Sequence, residues 1–155
     1  MVRKLRIAVG SDEAGRQYRE ALRADLNASN LVSSVTDVGV HGDGPGAYPE
    51  IATAAARLVA AGEVDRALLV CHTGLGVAIA ANKVLGVRAA CAHDEVSVRA
   101  SVLSNNAQVL CLGQGIIGLA VARRLTAEWL TCRFDPDCSA AAKVARISAL
   151  EQGHS

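Results

Sequence analysis

The sequence predicts an α/β fold: one doubly wound (Rossmann-like) domain over residues 1–155, with a five-stranded parallel sheet, helices on both faces and a C-terminal helix. Three observations lead there. Short apolar runs alternate with longer amphipathic stretches. The apolar runs are nearly continuous, as in Ala67-Leu-Leu-Val-Cys71, which fits strands buried on both sides. Glycine and polar residues collect where those runs end, the edge at which ligands of such sheets bind.

Leu5–Gly10 reads as the first strand, followed by a helix from about Arg16 to Asn27. Val35–Val38 is a second strand, less apolar and therefore nearer an edge. The segment from Gly39 to Gly46 carries four glycines and a proline and reads as a loop. A helix follows from Pro49, which suits a first turn because its missing N–H is not needed there, to Ala61. Arg66–Cys71 is the third strand and Leu75–Lys83 a helix. Then come strand Val87–Ala92, helix Glu95–Leu103, strand Val109–Leu112 and helix Ile116–Leu130. A last helix from about Ser139 to Leu150 ends the pattern.

Composition narrows the function. Hydrophobic residues make up 51% of the 155 residues, so a core can form, but aromatics are only 3%, so it must be built from Ala, Val, Leu and Ile. The net charge of +1, with both signs interspersed, leaves no basic face for nucleic acid and none for an anionic membrane surface. The N-terminal apolar run is too short for a signal peptide or a membrane span. Five cysteines, with no CxxC pair, point to a reducing cytoplasm without a disulfide framework or zinc site. No HxH or HxxxH spacing joins His41, His72 or His93, so no metal is expected.

The strand ends carry the chemistry. Cys71-His-Thr-Gly-Leu-Gly76 is a glycine-rich strand-to-helix turn, which can aim several backbone N–H groups at one anion, a phosphate, an enediolate or a thiolate among them. The same string would also serve as a tight turn around a buried, inert Cys71, and locally both readings stay open. Gly113-Gln-Gly-Ile-Ile-Gly118 spells a dinucleotide fingerprint. However, beyond Leu130 there is no room for a further strand with a ribose-binding acid, so these glycines are assigned to the turn and to close packing. Asp12 and Glu13 pair two acids after strand one, for acid–base work or for helix capping. Ser104-Asn-Asn106 can be a helix end.

Taken in order, several strings resemble the family of ribose-5-phosphate isomerase B and galactose-6-phosphate isomerase. They are Gly10-Ser-Asp-Glu-Ala-Gly15, Tyr48-Pro49, Gly62-Glu-Val-Asp65, Gly86-Val-Arg-Ala89, Ser104-Asn-Asn-Ala-Gln-Val-Leu110, Gly113 and, most specific, Cys71 to Lys83. The resemblance implies a metal-free and cofactor-free aldose–ketose isomerase acting on a sugar phosphate. It also implies a homodimer with sites between the subunits, which could pair into a tetramer. In that pattern Cys71 matches the base that moves the proton between C1 and C2, and Thr73 the group serving the substrate oxygens. The N–H groups of Gly74, Gly76 and Val77 match the anion hole. Asp12, Glu13, Tyr48, Ser104 and Asn105 match pocket positions, Asn105 reaching across from the partner, and Asn82 supports the turn.

The chain departs from the pattern at telling places. Glu13 stands where the family usually has His, and Ser104 where it has the His that opens a furanose ring. Arginines that hold phosphate fall at Gly115 and near Ser139, leaving Lys143, with Arg146 one turn on, and Arg16 as cations. A serine cannot act as a general acid–base near neutrality. A four-carbon ketose phosphate has no hydroxyl free to close a five-membered ring and needs no such residue. Family members acting on erythrulose 4-phosphate carry similar strings, which favours a tetrulose 4-phosphate, with ribulose or ribose 5-phosphate next and a non-phosphorylated sugar still open. The competing expectation is a catalytically altered member that binds a sugar phosphate or serves as one subunit of a mixed complex.

Overall fold

The computed structural model describes residues 2–39 and 47–154. The glycine-rich stretch 40–46, including His41, lies outside the described residues. Five strands form one sheet: β1 (Leu5–Ser11), β2 (Val32–Gly39), β3 (Arg66–Cys71), β4 (Ala89–Cys91) and β5 (Val109–Gly113). All pairings are parallel, in the order β2-β1-β3-β5-β4. The α-helices are α1 (Arg16–Ala28), α2 (Tyr48–Ala60), α3 (Leu75–Ala81), α4 (Glu95–Leu103), α5 (Leu119–Thr131) and α6 (Ala141–Leu150).

The two faces of the sheet are packed differently. On one, Ile7, Val9, Leu68, Val70, Leu110 and Leu112 meet α1, α4 and α5 through residues such as Leu22, Leu26, Val98, Leu125 and Trp129. On the other, Ala8, Ala67, Leu69, Cys71 and Cys111 meet α2 and α3 through Ala52, Ala55, Ala56, Val77 and Ala81. Small side chains let α2 and α3 come close to the strands. With so few aromatics, buried Trp129 supplies the largest side chain in the interior. None of the described helices is long and apolar enough to cross a membrane.

The structure corrects several expected boundaries. β2 extends to Val32–Gly39 because pairing with β1 supports residues whose own side chains are half-buried or exposed. β4 shrinks to Ala89–Cys91, since Val87 and Arg88 lie in the turn after α3, where the Gln108 side chain accepts from the Arg88 N–H at 2.8 Å. α3 stops at Ala81 rather than Lys83, as Asn82 turns its amide onto Ala89. α5 starts at Leu119 rather than Ile116, because Ile116 and Ile117 fold back onto the Gly113 carbonyl. α6 begins at Ala141, with Ser139 and Ala140 in the preceding turn, and buries Val144 alone.

In this strand order the chain goes from β1 to β2 on one side and then to β3 on the other. The switch point between β1 and β3 therefore opens at their carboxyl ends, beside the loops that follow Ser11 and Cys71.

Candidate active site

The turn after β3 is held by backbone contacts. The Gly74 N–H donates to the Cys71 Sγ at 3.1 Å, and Cys71 itself is buried. Gly74 sits at φ +80°, and a Cβ there would lie 2.9 Å from the Leu112 carbonyl carbon. Only glycine fits that left-handed, crowded position. The Thr73 Oγ1 accepts from the Leu75 N–H at 3.3 Å, and the Thr73 carbonyl accepts from the Cys91 thiol at 3.6 Å. The ring of Tyr48, at the start of α2, lies on Gly76, where a Cβ would be 2.6 Å from its Cε2.

Three cysteines share this side of the sheet, and their environments separate them. Burial pushes the Cys111 thiol well above its ordinary pKa, with further contributions from Cys91 and Cys71. Burial raises the Cys91 thiol too, with the nearby Cys71 adding to it. Both are therefore held as thiols. Cys71 alone among them accepts a backbone N–H.

The loop after β1 adds its residues at the same edge. Asp12 caps the short turn before α1, its Oδ1 accepting from the Gly15 N–H at 3.2 Å. Glu13 does not cap; it is exposed and lies 3.7 Å from Arg16. Gly15 packs on β3 so tightly that a Cβ would be 2.5 Å from the Val70 carbonyl oxygen. Gly113 meets the turn in the same way, 2.6 Å from the Thr73 carbonyl carbon. The glycines at 113 and 115 thus serve close packing of the β5 loop on the β3 turn.

His93, which the sequence places among the polar residues at the strand ends without a role of its own, takes part here. Its Nε2 accepts from the Gly113 N–H at 2.8 Å, which requires the neutral ring protonated on Nδ1. Burial lowers its pKa from 6.5, against an opposing pull from Asp94. The depressed value means that His93 contributes stability above its unfolded pKa, which is lost as pH falls through the folded value. We expect the melting temperature of the wild type to fall more steeply than that of His93→Gln as pH drops from about 7 to about 5, the range over which an ordinary His titrates. Parallel thermal-denaturation profiles for the two proteins would contradict this.

The remaining expected residues stand elsewhere. Asn82 donates to the Ala89 carbonyl at 2.9 Å and accepts from its N–H at 2.8 Å, pinning the end of α3 to the start of β4. Because α4 runs back along the sheet, Ser104 and Asn105 reach the amino-terminal edge, where the Ala67 and Gln108 backbones pair. There they line a cleft of about 470 Å³ with Ser139, Ala140, Lys143, Val144 and Ile147. Arg146 is exposed and outside that cleft. Asn106 takes the left-handed conformation at φ 48°, so the helix-end reading holds for it. Within one chain, Asn105 and Lys143 are on the edge opposite Cys71. Among the described residues no cluster of His, Cys, Asp and Glu could hold a metal ion.

Comparison with known proteins shows the family and the fold. The family model described as Ribose/Galactose Isomerase matches residues 7–147. The chain is 60% identical over 148 residues to "D-erythrulose-4-phosphate isomerase 2" of Mycolicibacterium smegmatis, covering 95% of this chain and 97% of that protein. It is 33% identical to ribose-5-phosphate isomerase B of Escherichia coli, over 95% and 97% of the two chains. The structure of ribose-5-phosphate isomerase B from Clostridium thermocellum superposes with a TM-score of 0.90 at 35% identity, over 97% and 99% of the chains. The chain belongs to the ribose/galactose isomerase family.

Proposed function

We propose that this chain interconverts a ketose phosphate and an aldose phosphate, with Cys71 as the base and a tetrulose 4-phosphate as substrate. The observation that carries this reading is the Cys71 Sγ under the Gly74 N–H, in a turn whose geometry requires glycine at 74. The Cys71 thiolate takes a proton from the hydroxymethyl carbon next to the carbonyl. The electron pair moves into the carbonyl, whose oxygen becomes that of an enediolate. N–H groups from Gly74 to Val77 stabilise that charge as it develops. Thr73 relays a proton between the two oxygens, and the Cys71 thiol returns its proton to the neighbouring carbon, giving the aldose. No atom is gained or lost.

Two observations support the four-carbon sugar. Ser104 stands where a ring-opening acid–base would be needed, and an open-chain substrate does without one. The 60% identity is to a relative named for erythrulose 4-phosphate, against 33% to one named for ribose 5-phosphate. We also propose a homodimer in which Asn105 and Lys143 of one chain complete the pocket of the other. Their place on the opposite edge from Cys71 supports this, as do Ile147 and Leu150, exposed on the sparsely packed α6.

The test is solvent exchange. In deuterated water the protein is expected to place deuterium on the carbon that gains the proton from erythrulose 4-phosphate, read by proton NMR, and faster than from ribulose 5-phosphate. If neither sugar gains deuterium above a Cys71→Ala control, the reading fails for both.

A further inference from the structure

The loop after β5 runs alongside the chain after β3. The Gln114 N–H donates to the Cys71 carbonyl at 2.9 Å and the Gly115 N–H to the His72 carbonyl at 2.8 Å. At Gly115 the backbone passes directly against the His72 imidazole. A Cβ on residue 115 would lie 2.2 Å from the ring Cε1, 2.6 Å from Nδ1 and 2.7 Å from Nε2. The ring therefore fills the volume that any side chain at 115 would need. His72 is exposed, and it sits between Cys71 and Thr73 in the turn.

Among the described residues, the other basic groups near this edge are paired with acids or used by the backbone. Arg16 is held by Glu20 at 3.1 Å and Glu13 at 3.7 Å. Arg19 is buried beside Asp37 at 3.8 Å. The His93 Nε2 is used by Gly113. Lys143 and Arg146 belong to the other edge of their own chain. Among the described residues, His72 is thus the exposed imidazole next to the base.

We propose that His72 is the specificity residue for the substrate's phosphate: a ring N–H donates to a phosphate oxygen from the volume that Gly115 leaves open. This rests on the isomerase reading given above. Residues 72 and 115 then form one exchangeable unit, in which either an imidazole over glycine or a long cationic side chain at 115 supplies the donor, but not both. An imidazole offers one N–H along one direction, whereas a guanidinium offers a fork that grips two oxygens. A modest affinity for phosphate, easily lost on a single substitution, follows from that difference.

Inorganic phosphate is the direct probe, measured by titration calorimetry on the intact protein. His72→Ala is expected to weaken phosphate binding roughly tenfold, as removal of one hydrogen bond to a charged group does. The KM for erythrulose 4-phosphate should rise by a similar factor. His72→Gln, which keeps an N–H donor, should recover part of the loss. Gly115→Arg alone forces the ring and the new side chain to compete for one space, while His72→Ala with Gly115→Arg should bind phosphate at least as tightly as the wild type. Unchanged phosphate binding in His72→Ala, or additive effects of the two substitutions, overturns the assignment. Loss of phosphate binding in His72→Ala, in a protein whose wild type shows no deuterium exchange with either sugar, supports the phosphate contact and removes the isomerase reading alone.

Discussion

Cys71→Ala is expected to lose turnover by about three orders of magnitude, within the range for removing a positioned base, while its circular dichroism stays that of the wild type. The thiol is small and alanine fills most of its place, so the fold has little to lose. The chemistry has no substitute. Cys91 and Cys111 share the same side of the sheet, but burial holds both as thiols. Cys91 is further tied to the Thr73 carbonyl. The glycine N–H groups remain in the variant, so the enediolate pocket persists without a group to take the proton. Turnover within tenfold of the wild type would remove Cys71 from the mechanism. Mixing Cys71→Ala with Asn105→Ala chains should recover measurable turnover if each site draws on two subunits, because one site of a mixed dimer then has both groups intact. Two inactive variants that stay inactive on mixing, after unfolding and refolding together, would argue against the shared site.

The second large effect concerns folding. Arg66→Ala should lower stability by about 3 kcal/mol, the loss expected when charged hydrogen bonds to buried carbonyls are removed. Arg66 opens β3, yet its guanidinium donates to the carbonyls of Trp129 at 2.7 Å and Cys132 at the end of α5. It also lies 5.4 Å from the centre of the Trp129 ring. Burial, with the nearby Arg133 charge, pushes its pKa down to about 10, so it remains charged at neutral pH. The side chain thus fastens the last turn of α5 to the start of the central strand, adding a charged donor to carbonyls that also accept from the Cys132 N–H at 3.3 Å and from Arg133 at 3.0 Å. A drop of roughly 6–12 °C in melting temperature is the corresponding reading for a chain of this length. Arg66→Lys keeps the charge but not the fork and should fall between the two. A melting temperature unchanged in Arg66→Ala would show that water replaces these bonds at little cost.

The fold was legible because parallel strands buried on both faces leave continuous apolar runs, and because helices such as α1, α2 and α5 each have an apolar side. Boundaries moved where a specific turn or side-chain contact decides them. α5 starts late because of the Gly113 carbonyl, and α3 stops early because of Ala89, neither of which is visible in local periodicity. The residues around Cys71 were legible because the glycines needed for a tight turn also mark it. Asn105 and Lys143 were legible only through resemblance, since no spacing reveals that they line one cleft on the far edge. The contact of His72 with Gly115 joins two loops that are remote in sequence. A glycine beside a strand end, in a stretch that spells another motif, was the available sign.

The three glycines that meet neighbouring backbone, Gly15 on Val70, Gly74 on Leu112 and Gly113 on Thr73, have a consequence for how such a site changes over generations. The loops after β1, β3 and β5 touch main chain to main chain, so none can shift without the others. Variation in sugar preference is then confined to side chains that project from this frame, at positions such as 13, 72 and 115. A designer who wants a different sugar should recombine those positions and leave the loop lengths and the three glycines alone.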